Sequence, residues 1–147
     1  MSYRLTERLQ FGIEWNPLAD SFSPLANWHV LEETEERPAV ILGTSSDRIG
    51  TPHGQSFYAT ASKDLEKEIG LPVAPYAGVA YGTFEDEWRP IGGGRIRYSE
   101  VFSSTHLYDG RHGHHILNAT IGGRHTLGLL WIGHEHVGVS YSVAFDF

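Results

Sequence analysis

The sequence predicts an all-β fold, namely a closed antiparallel up-and-down β-barrel of about eight to ten strands that forms one domain over residues 1–147. Short β-branched and aromatic runs alternate with a period of two along most of the chain, and 17 Gly and 7 Pro help to bound them. Segments with helical periodicity are scarce. The best of them, residues 62–70, starts on Ser and stops on Gly, and would form about two turns.

The first half of the chain contains five strand candidates. In the first, residues 9–16, every odd-numbered residue is large and apolar, and every even-numbered residue is polar or glycine. Residues 17–26 are predicted to form a loop. The later candidates are residues 27–34, 38–46, 55–62 and 73–84.

The second half adds five further candidates, at residues 94–101, 103–108, 115–122, 126–133 and 139–147. A tight turn at residues 123–125 separates two of them. Short strands at regular spacing, joined mostly by short connections, are typical of a sandwich or a barrel.

The composition restricts the partners. Eleven Lys and Arg against 18 Asp and Glu give a net charge of −7, which argues against nucleic acid because phosphate binding needs a basic surface. The chain has no Cys, so a disulfide or a thiol nucleophile is not expected. No apolar run reaches the roughly 18 residues of a transmembrane helix. Residues 1–4 are not a secretory signal, and we expect that one has been removed.

The last strand candidate predicts a transmembrane barrel. Tyr141, Val143, Phe145 and Phe147 share one face, which we expect to contact lipid. Charged residues elsewhere alternate with apolar ones, and small barrels fill their interior with such side chains in pairs. The sequence therefore predicts an interior polar network, too narrow for an open pore, formed by Glu14, Arg95, Arg97 and Asp146.

The motif Tyr-x-Val-x-Phe-x-Phe at residues 141–147 resembles the C-terminal assembly signal of small bacterial outer-membrane β-barrel proteins. Residues 37–52, 75–81 and 108–110 are similar to uncharacterised exported barrel proteins. The resemblance implies a location in the bacterial outer membrane, contact with outer-membrane lipid and recognition by the barrel assembly machinery. We expect a structural or surface-binding role without enzyme activity and without a cofactor; the oligomeric state stays open.

Nine His are many for this length, and they cluster. Asp109, His112, His114 and His115 could bind a metal ion, although exposed loop residues are the commoner reason for such a cluster. Counting strands back from the C-terminus places this turn and the one at residues 134–136 on the same rim.

An esterase is the main enzymatic alternative, as an outer-membrane lipid-modifying hydrolase of the deacylase kind. It would use His134, His136 and Ser140; Ser103, Ser104 and His106 lie on an earlier strand. The deacylase pattern of His, one residue and Ser is absent here, because Val137 and Gly138 follow His136. A soluble β-barrel ligand-binding domain is the other alternative.

Overall fold

The structure is a computed structural model that describes residues 2–16, 20–48, 51–133 and 135–143. Within these ranges, no helix is long and apolar enough to cross a bilayer. One short helix, α1 (Glu66–Ile69), lies between the fifth and sixth strands. The strands are β1 (Ser2–Arg4), β2 (Leu9–Asn16), β3 (Ser21–Leu31), β4 (Ala39–Ser46), β5 (Gln55–Ser62), β6 (Val73–Gly82), β7 (Glu87–Arg97), β8 (Phe102–Tyr108), β9 (Gly113–Ile121), β10 (His125–Ile132) and β11 (His136–Val143).

The strands form one antiparallel meander in which each strand neighbours the next along the chain, in the order β1 to β11. Ten of them have at least seven residues, and β1 has three. The predicted all-β antiparallel meander is confirmed. The sheet order contains no pairing between β1 and β11 among the described residues, so closure into a barrel stays a proposal.

The predicted loop at residues 17–26 is wrong for residues 21–26, because β3 starts at Ser21; residues 17–19 lie outside the described residues. A proline in a strand removes one ladder hydrogen bond, which is tolerated where the strand has a partner on one side. Pro24 meets this condition, since it pairs with Ile13 of β2, whereas the described pairing of β3 with β4 starts at Ala26.

The predicted strand at residues 94–101 is shifted, because β7 covers Glu87–Arg97 and includes three consecutive glycines. These glycines lie opposite Tyr108, Leu107 and His106 of β8, whose large side chains can cover the space that glycine leaves. Helix α1 is also shorter than predicted, although it ends as expected at Gly70, which has a left-handed φ of 70°.

The chain divides into two compact units. Unit 1 comprises Met1–Lys63 and Tyr76–Ile91, and unit 2 comprises Asp64–Pro75 and Gly92–Phe147. The two units are defined by the contacts between residues within the chain. The prediction of a single domain stays a prediction.

Burial is inverted in comparison with a water-soluble domain. Among the described residues, the buried hydrophobic ones are the small Ala39 and Ala80. The buried polar or charged ones are Asp47, Thr51, Ser56, Arg89, Ser103, Ser104 and His114. In soluble domains these frequencies are reversed, since Asp and Arg are almost never fully buried unless paired.

Strand register sorts the side chains of unit 1 into two faces, because alternate residues point to opposite sides of a sheet. The apolar face of unit 1 carries large exposed side chains at Phe11, Ile13, Trp15, Phe22, Trp28, Leu42, Phe57, Val79 and Trp88. The polar face of unit 1 carries the buried or half-buried Glu14, Asn27, Ser56, Tyr58 and Arg89.

Unit 2 is divided in the same way. Its apolar face exposes Phe102, Leu117, Ile121, Leu127, Leu129, Trp131, Val137, Val139 and Tyr141. Its polar face carries Ser103, Thr105, Asn118, Thr120 and Thr126, which together with Arg95 line a cavity of 230 Å³.

Candidate functional site

The polar face of unit 1 contains a buried ion pair. Arg89 Nη2 donates to Asp47 Oδ1 at 2.8 Å, and the two side chains are 5% and 0% exposed. The Asp47 carboxylate also accepts the backbone N–H of Arg48 at 2.8 Å and that of Phe84 at 3.0 Å. Glycine at position 82 leaves room for this carboxylate, because a Cβ there would lie 2.6 Å from Asp47 Oδ1. Burial of the pair is compensated by these bonds.

A second ion pair extends this cluster. Arg48 donates to both carboxylate oxygens of Glu85, from Nη2 at 2.6 Å and from Nε at 3.3 Å. Glu85 also accepts a hydrogen bond from Arg89 Nη1. Arg89 Nε is buried and has no hydrogen-bond partner among the described atoms. The sequence prediction missed these four residues, in part because it started the corresponding strand at residue 94, after Arg89.

The described residues of the predicted interior network lie on the polar faces of their own units, and their joining into one network stays a prediction. Glu14 lies on the polar face of unit 1, where it accepts hydrogen bonds from the backbone N–H of Ser46 at 2.8 Å and its hydroxyl at 2.9 Å. In unit 2, Arg95 lines the polar cavity and Arg97 pairs with Glu66 of α1. Asp146 lies outside the described residues.

The turn between β8 and β9 holds a carboxylate and a buried imidazole. Burial by itself would raise the pKa of Asp109. The backbone N–H of His112, the side chain of His114 and the backbone N–H of Arg111 outweigh it and hold the pKa below its usual range. His114 Nε2 lies 2.9 Å from Asp109 Oδ2, and the backbone N–H of Gly133 donates to His114 Nδ1 at 3.2 Å. His114 thereby connects the β8–β9 turn with the turn that follows β10 through hydrogen bonds.

The alternative metal site does not form from the four residues named for it. His114 and His115 are adjacent on β9 and point to opposite faces, so His115 lies away from Asp109. Within the part of the chain that the structure describes, no group of three or more His, Asp or Glu could hold a metal ion.

Two of the three residues of the alternative catalytic set are described, and they do not contact each other. His136 and Ser140 are four residues apart on one strand, which corresponds to about 13 Å. They pair with Ile132 and Gly128 respectively, so neither reaches the other. His134 lies outside the described residues.

A different Ser–His contact lies on the apolar face of unit 2. Ser104 Oγ is 3.0 Å from His106 Nε2, and His106 Nδ1 is 2.8 Å from His115 Nδ1 on the neighbouring strand. The hydroxyl of Tyr98 is 2.9 Å from Ser104 Oγ. Ser104 is buried, whereas both imidazoles are half-buried.

Strand geometry explains this row. Ser104 and His106 are two residues apart on β8, so their side chains share a face, and the register places His115 directly opposite His106. The Ser-x-His spacing is visible in the sequence. The partner of His106 depends on the β8–β9 register. The sequence did not define this register, because it predicted that β9 starts at residue 115, two residues after its observed start at Gly113. A serine hydroxyl can act as a nucleophile when it is hydrogen-bonded to an imidazole and a third group orients that imidazole.

The C-terminal strand follows the predicted alternation as far as it is described. Tyr141 lies on the apolar face of unit 2 opposite Leu127, and Val143 lies opposite His125. The hydroxyl of Tyr141 is 2.7 Å from His125 Nδ1. Phe145 and Phe147 lie outside the described residues. The features above carry the functional argument, because comparison with protein-family models, curated proteins and solved structures finds no match.

Proposed function

We propose that the chain is a small bacterial outer-membrane β-barrel protein with a structural or surface-binding role. The observation that carries this proposal is the inverted burial, in which large apolar side chains are exposed and charged ones are buried in the same sheet. In a transmembrane barrel the apolar face contacts lipid and the polar face lines the interior. The proposal includes closure of the meander, because an open sheet edge is not stable in hydrocarbon.

The energetics favour lipid over water as the surroundings of the apolar faces. Apolar burial contributes about 25 cal/mol per Å², so a continuous face of Trp, Phe, Leu and Val is costly in water. On the polar face of unit 1, the charges of Asp47 and Arg89 compensate each other. Buried ion pairs of this kind would fill the interior of a small barrel, which supports a barrel without an open pore.

The partners follow from the same proposal. Outer-membrane lipid would contact both apolar faces, and the barrel assembly machinery would recognise the C-terminal strand. The second part of this statement depends on Phe145 and Phe147 and stays a prediction from the sequence.

Folding in detergent, followed by electrophoresis with and without boiling, tests the proposal. Folded membrane barrels resist cold SDS and migrate differently after boiling, so we expect a heat-dependent shift and no stable fold in plain buffer. A soluble ligand-binding domain would instead fold in buffer without detergent, and that result would overturn the proposal.

A matched pair of leucine variants sharpens the test. Leu42 lies in the middle of β4 on the apolar face and is 41% exposed, and Leu71 lies between α1 and β6 and is 54% exposed. In lipid, Leu42→Arg should cost about 2–4 kcal/mol of unfolding free energy, whereas Leu71→Arg outside the strands should cost little. In water both changes should stay within about 0.5 kcal/mol. Urea unfolding in vesicles measures the difference.

A further inference from the structure

Four hydrogen-bonding side chains form one connected row on the apolar face of unit 2, namely Tyr98, Ser104, His106 and His115, and the pair of His125 and Tyr141 lies elsewhere on that face. Polar groups that face lipid are costly, and an ionisable residue there indicates a functional site by default. The same face of the neighbouring strand β10 carries the apolar Leu127, Leu129 and Trp131. The mutual hydrogen bonds of the four polar side chains indicate a chemical role for the row.

We propose that Ser104, His106 and His115 form an esterase site that cleaves the carboxylic ester of a membrane lipid. The lipid part of this proposal rests on the membrane location proposed above. His106 Nε2 can accept the Ser104 proton at 3.0 Å if His106 carries its own proton on Nδ1. That proton then points to His115 Nδ1 at 2.8 Å, so His115 takes the orienting place that an acid has in a Ser–His–Asp triad.

An apolar cavity that borders the strands carrying this row suits the acyl chain of such a substrate, and Ser104 itself is not among its lining residues. The cavity measures 350 Å³, within the range of small-molecule sites. Leu117, which is directly opposite Ser104 in the register, forms part of its wall. The other apolar lining residues are Phe102, Ala119, Leu127, Leu129 and Val139.

The reaction balances with water as the only co-reactant. Ser104 Oγ attacks the ester carbonyl carbon while its proton moves to His106 Nε2. The carbon–oxygen bond to the alcohol breaks, and His106 returns the proton to the leaving oxygen. Water then cleaves the acyl–Ser104 ester with the same base, so ester and water become carboxylic acid and alcohol.

Tyr98 controls access to the nucleophile. Ser104 is 6% exposed, whereas Tyr98 is 60% exposed. The two hydroxyl oxygens are hydrogen-bonded at a distance of 2.9 Å. Binding of the acyl group must move the Tyr98 ring away from Ser104. The released phenol can donate to the carbonyl oxygen as negative charge develops there.

Labelling with an alkyl fluorophosphonate, which reacts with activated serines, tests the nucleophile on the full chain folded in detergent. We expect the wild type to be labelled and Ser104→Ala to be unlabelled. Ser103→Ala is the matched control, because Ser103 is equally buried at 5% but lies on the polar face. It should be labelled like the wild type. His106→Ala should lower the labelling rate about 10²–10⁴-fold.

His115 acts through His106 and is a positioning residue. Its role is tested by whether a substitute hydrogen-bond acceptor at position 115 retains the labelling. In His115→Asp a carboxylate oxygen replaces Nδ1 at the same number of bonds from the backbone, and labelling should be retained. His115→Leu removes the acceptor and should lower the rate about as much as His106→Ala. Equal rates for the Asp and Leu variants would overturn this role.

Vesicles of dipalmitoyl phosphatidylethanolamine test the substrate class, with released palmitate measured by mass spectrometry. Release by the wild type and its loss in Ser104→Ala support the proposal. A folded wild type that shows the heat-dependent shift yet is neither labelled nor releases palmitate overturns the esterase and leaves the membrane location standing. Labelling of Ser104 in a protein that folds in plain buffer without the shift overturns the membrane location and the lipid substrate together.

Discussion

Units 1 and 2 have the same inverted polarity and place their charges differently. In unit 1 the charged groups meet on the polar face, where Asp47 and Arg89 are almost completely buried. In unit 2 the polar face has Ser, Thr and Asn side chains around Arg95, together with Arg97 and the buried His114. The titratable row of unit 2 lies on the opposite, apolar face, at His106 and His115.

This difference separates two uses of polar residues in one sheet. The cluster of unit 1 fills space and satisfies its own charges, which is what a packed interior requires. The row of unit 2 occupies positions where leucine would be more stable in lipid. The proposed esterase would account for this cost.

The largest expected effect comes from breaking the buried pair of unit 1. Arg89→Met leaves the Asp47 carboxylate uncompensated and should cost about 3–5 kcal/mol of unfolding free energy. Arg95→Met in unit 2 should cost less than about 1 kcal/mol, because Arg95 has no ion pair within the described part of the chain. Urea unfolding in detergent measures both. The comparison fails if the two variants lose similar stability.

The double variant Asp47→Asn/Arg89→Met checks the cause of that loss. Removing both charges should recover much of the stability that Arg89→Met alone loses, since a neutral Asn at position 47 does not carry the desolvation penalty of an unpaired buried carboxylate. A double variant as unstable as the single one would assign the loss to packing.

A smaller effect should separate two glycines, one in each unit. In unit 1 a Cβ on Gly43 would lie 2.5 Å from the Tyr58 ring, whose hydroxyl donates to Asn27 at 2.6 Å. Gly43→Ala must move that ring and should cost about 1–3 kcal/mol. In unit 2 a Cβ on Gly138 meets Leu130 at an ordinary 3.9 Å, so Gly138→Ala should be neutral or slightly stabilising.

Melting of both glycine variants in the same detergent gives the comparison. A neutral Gly43→Ala would show that Tyr58 can move without cost. The polar face of unit 1 would then be less tightly packed than the contact with Gly43 implies.

Period-two alternation predicted the strands whose turn signals are unambiguous. Strands β2 and β5 have the predicted bounds, since apolar residues alternate there without an internal Pro or Gly pair. It failed at β3 and β7, because Pro24 and the Gly92–Gly94 run are locally strand-breaking and are tolerated through their cross-strand partners. Local propensity carries no information about such partners.

The candidate sites show the same limit more strongly. Residue types alone suggested that Asp109, His112, His114 and His115 form one group, yet alternation places His115 on the other face with His106. The buried pair joins residues 42 positions apart in the chain, Asp47 and Arg89. Such contacts depend on register and on strand order, which a single sequence does not define.

The smallest expected effect concerns the carboxylate of the turn in unit 2. Asp109 has a folded pKa below its usual value of 3.8, so its ionised form stabilises the fold above that value. The contribution is lost as the pH falls through the lower folded pKa. Asp109→Asn should therefore cost about 1 kcal/mol at neutral pH, where His114 loses its carboxylate partner, and progressively less below pH 3.8.

Urea midpoints of wild type and Asp109→Asn in detergent, measured between neutral pH and the acid range, give this difference directly. Arg97→Gln is a suitable control in the same unit, because its pair with Glu66 lies near the surface with both side chains about half exposed. A gap between wild type and Asp109→Asn that stays constant with pH would mean that the turn is held by its backbone hydrogen bonds alone. The carboxylate of Asp109 would then add nothing to the stability of unit 2.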